Sequence, residues 1–176
     1  METSARNVFS GKVVAVNSGA VNDEVELAVE GGINIVASIT KVRTLCLVFE
    51  AIDDGRLSLG QTLTASAHAA SMGGSDIWLE EGEQMTVDDL LKATVIMSAK
   101  DAAVVLAEAV SGSEDAFVAA MNDKAQELGM EDTTFKNCNG LDEEGHLTSA
   151  HDVALMSREL ITHEKIYDYT LTWMDT

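Results

Sequence analysis

Residues 38–52 read SITKVRTLCLVFEAI, and the spacing of the apolar residues predicts a helix from Ser38 to about Asp54. A separation of three residues would place the Ser38 hydroxyl and the Lys41 amine on one helical face, within side-chain reach of each other. This is the arrangement of a serine nucleophile with a lysine base, provided that burial or another cation keeps the lysine neutral. The alternative is that Ser38 is only a helix N-cap, since an S-x-x-K tetrad occurs by chance on the order of once in a chain of this length.

The segments on either side of this helix differ in their periodicity. Upstream, alternating apolar residues predict strands at 12–16 and 24–29 and a third short strand at 33–36, with turns at 17–19 and 30–32. Downstream, the sequence predicts an extended segment around 59–65, a loop at 71–75, helices at 86–98, 101–110, 113–129 and from 148 or 149 to 160, and a short strand at 132–135. The predicted fold is α+β, with a small antiparallel β-sheet at the N-terminus packed on a mainly helical body.

The composition fits one compact soluble unit and excludes several classes of partner. Apolar residues make up 46% of the 176 residues, and the formal net charge is −19 with only 11 Lys and Arg. Nucleic acids and anionic membrane surfaces are therefore not expected partners, since both are bound through basic residues. No window approaches the ~20 apolar residues of a membrane helix. The polar start of the chain does not resemble a signal sequence, so the chain as written is expected to be cytoplasmic.

The cysteines and histidines form no recognisable ligand pattern. Cys46 lies within the apolar helix and is predicted to be a buried thiol, whereas Cys138 lies in a turn-like Asn-Cys-Asn-Gly segment. Their spacing indicates neither a disulfide nor a zinc cluster, and the four histidines include no H-x-x-x-H pair. The sequence therefore predicts no metal site and no cofactor.

Five distinctive segments are spread along most of the chain: ASITK (37–41), HAASMGGS (68–75), EQMTVDDLL (83–91), NCNGL (137–141) and ALMSREL (154–160). Together they resemble the low-molecular-mass D-alanyl-D-alanine carboxypeptidases, which are penicillin-binding serine acyltransferases. The resemblance covers residues 38–176 and implies the helical part of the penicillin-binding/β-lactamase fold. It also implies that Ser38 is the nucleophile, Lys41 the general base and Ser98 a proton relay. The implied partners are a peptidoglycan stem peptide or a β-lactam.

Three features depart from the pattern of that family. Its S-x-N triplet falls at Ser98-Ala99-Lys100, where a lysine replaces an amide that would both donate and accept hydrogen bonds. Its K-T-G strand, which binds the substrate carboxylate and supplies part of the oxyanion site, has no counterpart, because no Lys-Thr-Gly occurs in the sequence. Since the loss of one oxyanion donor costs about 10²–10³-fold in rate, we expect little or no peptidase turnover. The family also works outside the cytoplasmic membrane, whereas the chain as written shows no export signal.

The first 37 residues carry a different set of segments: SARN (4–7), GKVV (11–14), GAVN (19–22), EV (24–25) and GGI (31–33). They resemble about half of a molbindin, a small β-domain that binds molybdate or tungstate. This resemblance implies oxyanion binding by Ser4, Arg6 and Lys41. The alternative is that these residues only build a β-hairpin.

The two resemblances share residues 37–41, which indicates an artificial chimera. Its parts would be a molbindin-like β segment at 1–37 and a truncated carboxypeptidase-like helical region at 38–176, together forming one compact unit. The chain also has no proline, whereas an average use of about 5% predicts roughly nine. Exposed strand edges and an exposed apolar face on the Ser38 helix would promote homo-oligomers. Three hypotheses remain open: a serine carboxypeptidase or β-lactam-acylated protein, an oxyanion-binding module, and a folded protein without activity.

Overall fold

The computed structural model describes residues 11–18, 23–29 and 33–170, with side chains described from Ile39 to Thr170. The first described elements are three strands, β1 (Gly11–Ser18), β2 (Asp23–Val29) and β3 (Ile33–Ser38). They form an antiparallel sheet in the order β1-β2-β3, as the alternating pattern predicts. Residues 17 and 18, predicted as part of a turn, belong to β1, and the rest of both predicted turns lies outside the described residues.

The remaining elements form a mainly helical body with a second, two-stranded sheet. They are α1 (Ile39–Asp53), β4 (Thr62–Thr64), α2 (Ala67–Ala70), β5 (Gln84–Thr86), α3 (Val87–Ile96), α4 (Lys100–Ser111), α5 (Glu114–Glu127), α6 (Ala150–Leu160) and α7 (Ile166–Thr170). Strands β4 and β5 pair antiparallel. The fold is thus α+β and mostly helical, as predicted. No helix in the described part of the chain has the length and apolar character needed to cross a membrane.

Helix α1 is the centre of the body. It packs against α4, α5 and α6, and β2 and β3 also lie against it. Twelve of its 15 residues are buried, from Thr40 to Phe49 without interruption and again at Ala51 and Ile52. A helix that is apolar on most of its surface must be covered on all sides, because each fully buried Leu, Val or Phe contributes about 1.5–3 kcal/mol. The exposed apolar face predicted for this helix is therefore not found.

Side-chain caps fix the starts of three helices at the predicted positions. The hydroxyls of Thr86, Ser113 and Ser149 accept hydrogen bonds from the backbone N–H groups of the first turns of α3, α5 and α6. Helix α4 ends at Ser111 and is followed by Gly112, which adopts the left-handed conformation common after a helix C-terminus. Local capping chemistry was therefore sufficient to predict these helix boundaries.

Several local predictions were wrong. Residues 132–135 form no strand, because only one isolated bridge joins Thr134 to Leu147. Helix α1 begins at Ile39, so Ser38 is the last residue of β3, and α3 ends at Ile96 rather than near residue 98. The short elements α2, β5 and α7 were not predicted, since segments of three to five residues carry too few periodic positions to be recognised.

Candidate active site

The N-terminal turn of α1 places Lys41 in the interior of the protein. Only 1% of the Lys41 surface is exposed, and its Nζ donates a hydrogen bond of 2.7 Å to the backbone carbonyl of Asn139. Burial is the main cause that lowers the pKa of Lys41 to about 8, and the positive charge of Lys100 lowers it further. A substantial fraction of the Lys41 side chains is therefore neutral near pH 8, as a general base requires.

The loop at 137–141 is held in place by its own amides and by α1. The Asn137 side chain bonds the Gly140 N–H and the Leu141 carbonyl, and the Asn139 side chain accepts from the Leu141 N–H. The Thr44 hydroxyl of α1 donates to the Cys138 carbonyl at 2.6 Å. These bonds fix the carbonyl that receives the Lys41 hydrogen bond, so the position of the lysine depends on residues about 100 positions away in the sequence.

Glu114 and His68 support the same loop from the other side. One oxygen of Glu114 accepts from the Cys138 N–H at 3.0 Å, and the other lies 2.6 Å from the His68 ring. Burial alone would favour the neutral acid, but these hydrogen bonds lower the pKa of Glu114. Glu114 is thus held as a carboxylate that fastens the loop. Burial raises the pKa of Cys138, so this thiol remains protonated and unreactive.

His146 contacts α1 next to Lys41. Its Nε2 lies 2.8 Å from the Thr40 hydroxyl, and its Nδ1 accepts a 3.3 Å hydrogen bond from the Lys136 N–H. Because Nδ1 accepts, Nε2 must carry the proton and donate to Thr40. Burial lowers the pKa of His146, which keeps the ring neutral in this role.

Lys100, the first residue of α4, is a second buried lysine. None of its surface is exposed, and its ammonium has no hydrogen-bond partner within the part of the chain that the structure describes. Burial lowers its pKa, while the nearby Asp76 carboxylate partly opposes this shift. The side chain fits only because residue 74 is glycine: a Cβ added to Gly74 would lie 2.6 Å from the Lys100 Nζ. The lysine therefore fills the space next to the glycine loop.

Ser98 lies on the short connection between α3 and α4. Its φ of +57° is unusual for a residue other than glycine, and such backbone conformations are often found at functional sites. The connection is fixed by Asp101, whose carboxylate accepts hydrogen bonds from the N–H groups of Ile77 and Leu79. The Lys100 N–H also donates to the Ser75 carbonyl at 2.8 Å. The 98–100 triplet is therefore held beside the loop at 71–75.

The structure brings only part of the predicted site together. Lys41 and Lys100 are close enough for their charges to interact, and Ser98 is two residues from Lys100. Ser38 precedes α1 directly, but its side chain lies outside the described residues, as do Ser4 and Arg6. The predicted roles of these residues therefore stay predictions.

Several residues of the site were not predicted from the sequence. No short catalytic motif in the sequence includes the Asn139 carbonyl, Gly74 or His146. The segments 68–75 and 137–141 were recognised as similar to the carboxypeptidases, and this similarity was the available signal for Gly74 and Asn139. Their roles depend on backbone groups and on free space, which a pattern of side chains does not show.

Solved structures that align with this chain include penicillin-binding proteins and D-alanyl-D-alanine carboxypeptidases. The D-alanyl-D-alanine carboxypeptidase DacD from Francisella tularensis aligns with a TM-score of 0.73 and 36% identity over 76% of this chain and 33% of that chain. Penicillin-binding protein D2 from Listeria monocytogenes, in its ampicillin-bound form, aligns with a TM-score of 0.66 and 31% identity over 77% of this chain and 56% of that chain. The fold is thus that of the penicillin-binding class.

The D-alanyl-D-alanine carboxypeptidase family, peptidase S11, matches residues 10–176, and the chain belongs to this family. The D-alanyl-D-alanine carboxypeptidase DacF of Bacillus subtilis is 51% identical over 139 residues, which are 79% of this chain and 36% of that protein. The chain therefore spans about a third of the length of this curated relative. The family match begins at residue 10 and includes most of the molbindin-like segment, whose separate origin stays a prediction.

Proposed function

We propose that this chain is the acylating part of a serine-type D-alanyl-D-alanine carboxypeptidase, with Ser38 as nucleophile, Lys41 as general base and Ser98 as proton relay. The observation that carries the proposal is the environment of Lys41. A buried lysine with a pKa lowered to about 8 and a fixed hydrogen bond to Asn139 lies three residues after a serine. Such a lysine is expensive to bury, and a purely structural helix would be more stable with an apolar residue there.

The chemistry follows from the properties of these groups. Neutral Lys41 takes the proton of the Ser38 hydroxyl while the oxygen attacks the carbonyl carbon of the substrate amide. The C–N bond then breaks, and the proton returns from Lys41 through Ser98 to the leaving nitrogen. Water hydrolyses the resulting ester and regenerates Ser38. In a β-lactam the leaving nitrogen stays attached to the acyl group, so the same first step yields a lasting adduct.

The substrate class is inferred from the family. The relatives are named for D-alanyl-D-alanine, and the Listeria monocytogenes structure contains ampicillin. We therefore propose a peptidoglycan stem peptide ending in D-alanyl-D-alanine as the substrate and β-lactams as acylating inhibitors. This substrate implies a working place outside the cytoplasmic membrane, whereas the cytoplasmic location expected for the chain as written stays a prediction.

Lys100 is proposed to reduce peptidase turnover strongly. The amide expected at this position would both donate to and accept from the substrate, but an ammonium can only donate. No other described side chain bonds the Lys100 ammonium, and its positive charge would repel a positively charged substrate group. We therefore expect little or no turnover by the 176-residue chain, while acylation by a reactive β-lactam is the more sensitive readout.

The test is intact-mass spectrometry after incubation with a labelled penicillin. The chain should gain one penicillin mass, and the Ser38→Ala and Lys41→Met variants should not. Ser58→Ala is the matched control, because Ser58 is an exposed serine outside the site and should be acylated as the parent is. Circular dichroism checks that each variant is folded. An adduct that persists in Ser38→Ala, or no adduct on the well-folded parent chain, would contradict the proposed function.

The molybdate hypothesis of the sequence analysis, with Ser4, Arg6 and Lys41 as ligands, stays a prediction, as do the chimeric origin and the homo-oligomer. The environment of Lys41 favours acylation, because its ammonium is buried and bonded to Asn139. Molybdate added to the same thermal assay provides the comparison. A rise in Tm that depends on Arg6 would support anion binding instead.

A further inference from the structure

A second group of ionisable side chains lies at the other end of α1. Glu50 of α1, Glu159 of α6 and His163 in the turn after α6 each offer one ligand atom, and these atoms all lie within 4.8 Å of one another. Glu50 follows Lys41 by nine residues, which is about 13 Å along a helix at 1.5 Å per residue. This group is therefore separate from the candidate active site.

His163 is oriented as metal-binding histidines are. Its Nδ1 lies 2.7 Å from an oxygen of Asp53, which can only accept, so Nδ1 carries the proton. In the neutral ring Nε2 then holds a free lone pair. The His163 side chain is 10% exposed, and among the described residues Nε2 has no hydrogen-bond partner although it is buried. A carboxylate that fixes the tautomer from the second ring nitrogen is the usual outer partner of a histidine ligand.

Two further contacts hold this arrangement. The His163 ring stacks on Phe49 with a centroid distance of 6.1 Å. The second oxygen of Asp53 accepts a 3.0 Å hydrogen bond from Lys165. Asp53 thus contacts both His163 and Lys165, and its contact with Nδ1 keeps the His163 tautomer fixed. Because Asp53 occupies Nδ1, the lone pair of the neutral ring lies on Nε2, which has no hydrogen-bond partner among the described residues.

The neighbouring charges allow a cation to bind. Two carboxylates and one neutral imidazole carry a formal charge of −2, which matches a divalent ion. Lys124 lies 2.8 Å from a Glu50 oxygen and 3.6 Å from Glu127, so it can keep an acidic partner when Glu50 binds an ion. The charges of Arg43, Glu50 and Glu159 all act on the Cys46 thiol, so the buried Arg43 guanidinium lies near the two carboxylates. Its positive charge limits the affinity of this group for a cation.

We propose that Glu50, Glu159 and His163 bind a divalent transition-metal ion, with Asp53 as the residue that orients His163. Zn²⁺ is the expected ion, because it accepts imidazole nitrogen and carboxylate oxygen ligands at 2.0–2.2 Å in roughly tetrahedral geometry. Three ligands leave one position for water. Since the ligands come from α1, from α6 and from the following turn, the ion would fasten α6 to the central helix and increase the stability of the fold.

The experiment uses the full chain, stripped of metal with a chelator, and adds zinc sulfate alone. Zinc at a hundredfold excess over its Kd should raise Tm by about 5 °C or more. Isothermal titration should give one site per chain. Glu159→Gln should lower the affinity for zinc at least tenfold, and His163→Gln should abolish the heat of zinc binding. Asp53→Asn should lower the affinity by about 10–100-fold through loss of orientation.

Matched controls lie nearby in the chain. His151→Gln changes an exposed histidine of α6, and Asp54→Asn changes the neighbour of Asp53, so both variants should bind zinc as the parent does. Cobalt(II) should give the visible absorption of a tetrahedral site in the parent but not in His163→Gln. If His163→Gln does not fold, Glu159→Gln and Asp53→Asn decide the question. Unchanged zinc affinity in these two variants, or no zinc binding by the parent, would overturn the proposal.

Discussion

Replacement of Lys100 by two different residues separates the energetic effect of its charge from the chemical effect of the missing amide. Lys100→Met removes the positive charge and keeps most of the volume. Lys100→Asn removes the charge and introduces the amide that the family pattern has at this position. Both changes affect a fully buried side chain whose ammonium forms no hydrogen bond with any described residue. The two variants together show whether Lys100 lowers the free energy of unfolding, the rate of acylation or both.

The expected changes in stability follow from the burial of Lys100. A buried charged group without a partner costs at least about 1–3 kcal/mol, so Lys100→Met should raise the free energy of unfolding by about 2 kcal/mol. For a chain of this size this corresponds to a rise in Tm of about 4–8 °C. Asparagine has three fewer methylene groups than lysine, which costs about 2.4 kcal/mol of apolar burial. Lys100→Asn should therefore change stability by less than about 1 kcal/mol.

The expected changes in acylation have the opposite order. Lys100→Asn should increase the rate of acylation by penicillin by at least about tenfold, because a donor and acceptor for the substrate amide is restored. Lys100→Met should leave the rate low despite its higher stability. The assays are urea unfolding and the time course of penicillin labelling. If Lys100→Met destabilises the chain, the ammonium has a partner and the reasoning fails. If both variants gain activity equally, charge and not the missing amide limits acylation.

Three further changes test the local contacts of the site. Because the pKa of Lys41 is lowered to about 8 and the neutral form is the base, the rate of penicillin labelling should rise from pH 7 to pH 9 and then level off; a fall over this interval would contradict the role of Lys41. Gly74→Ala should cost about 1–2 kcal/mol in urea unfolding, since φ is +98° and the new Cβ would meet Lys100, and this cost should fall in the Lys100→Asn background. Thr44→Val should cost about 1–3 kcal/mol, because the Cys138 carbonyl loses a 2.6 Å hydrogen bond; no change in the urea midpoint would show that another donor replaces it.

The sequence predicted the elements whose causes are local. The caps at Thr86, Ser113 and Ser149 were visible because a hydroxyl side chain precedes a run with helical spacing. The burial of α1 was only partly predictable. Its apolar residues indicated a core helix, but the prediction of an exposed apolar face was wrong because the sequence does not show how neighbouring elements cover it.

The contacts that define the site could not be predicted from local sequence patterns. Lys41 and the Asn139 carbonyl are 98 residues apart in sequence, and Glu50 and His163 are more than 100 residues apart. No periodicity within one segment encodes such a contact. The prediction of no metal site relied on the spacing of histidines along the chain, whereas the proposed zinc ligands are one histidine and two glutamates from different elements. The sequence indicates which residues can react, but tertiary packing determines which of them meet.

Lys100 does more than remove an amide, because its charge also acts on the base. The charge of Lys100 is the second cause of the lowered pKa of Lys41, after burial. Lys100→Asn should therefore raise the pKa of Lys41 and decrease the neutral fraction near pH 7, while it improves contact with the substrate. These effects differ in their pH dependence. Above the pKa of Lys41 only the improved contact remains, so the advantage of Lys100→Asn over the parent should be larger at pH 9 than at pH 7. An advantage that is the same at pH 7 and pH 9 would mean that the two lysine charges do not interact, and that Lys100 affects substrate binding alone.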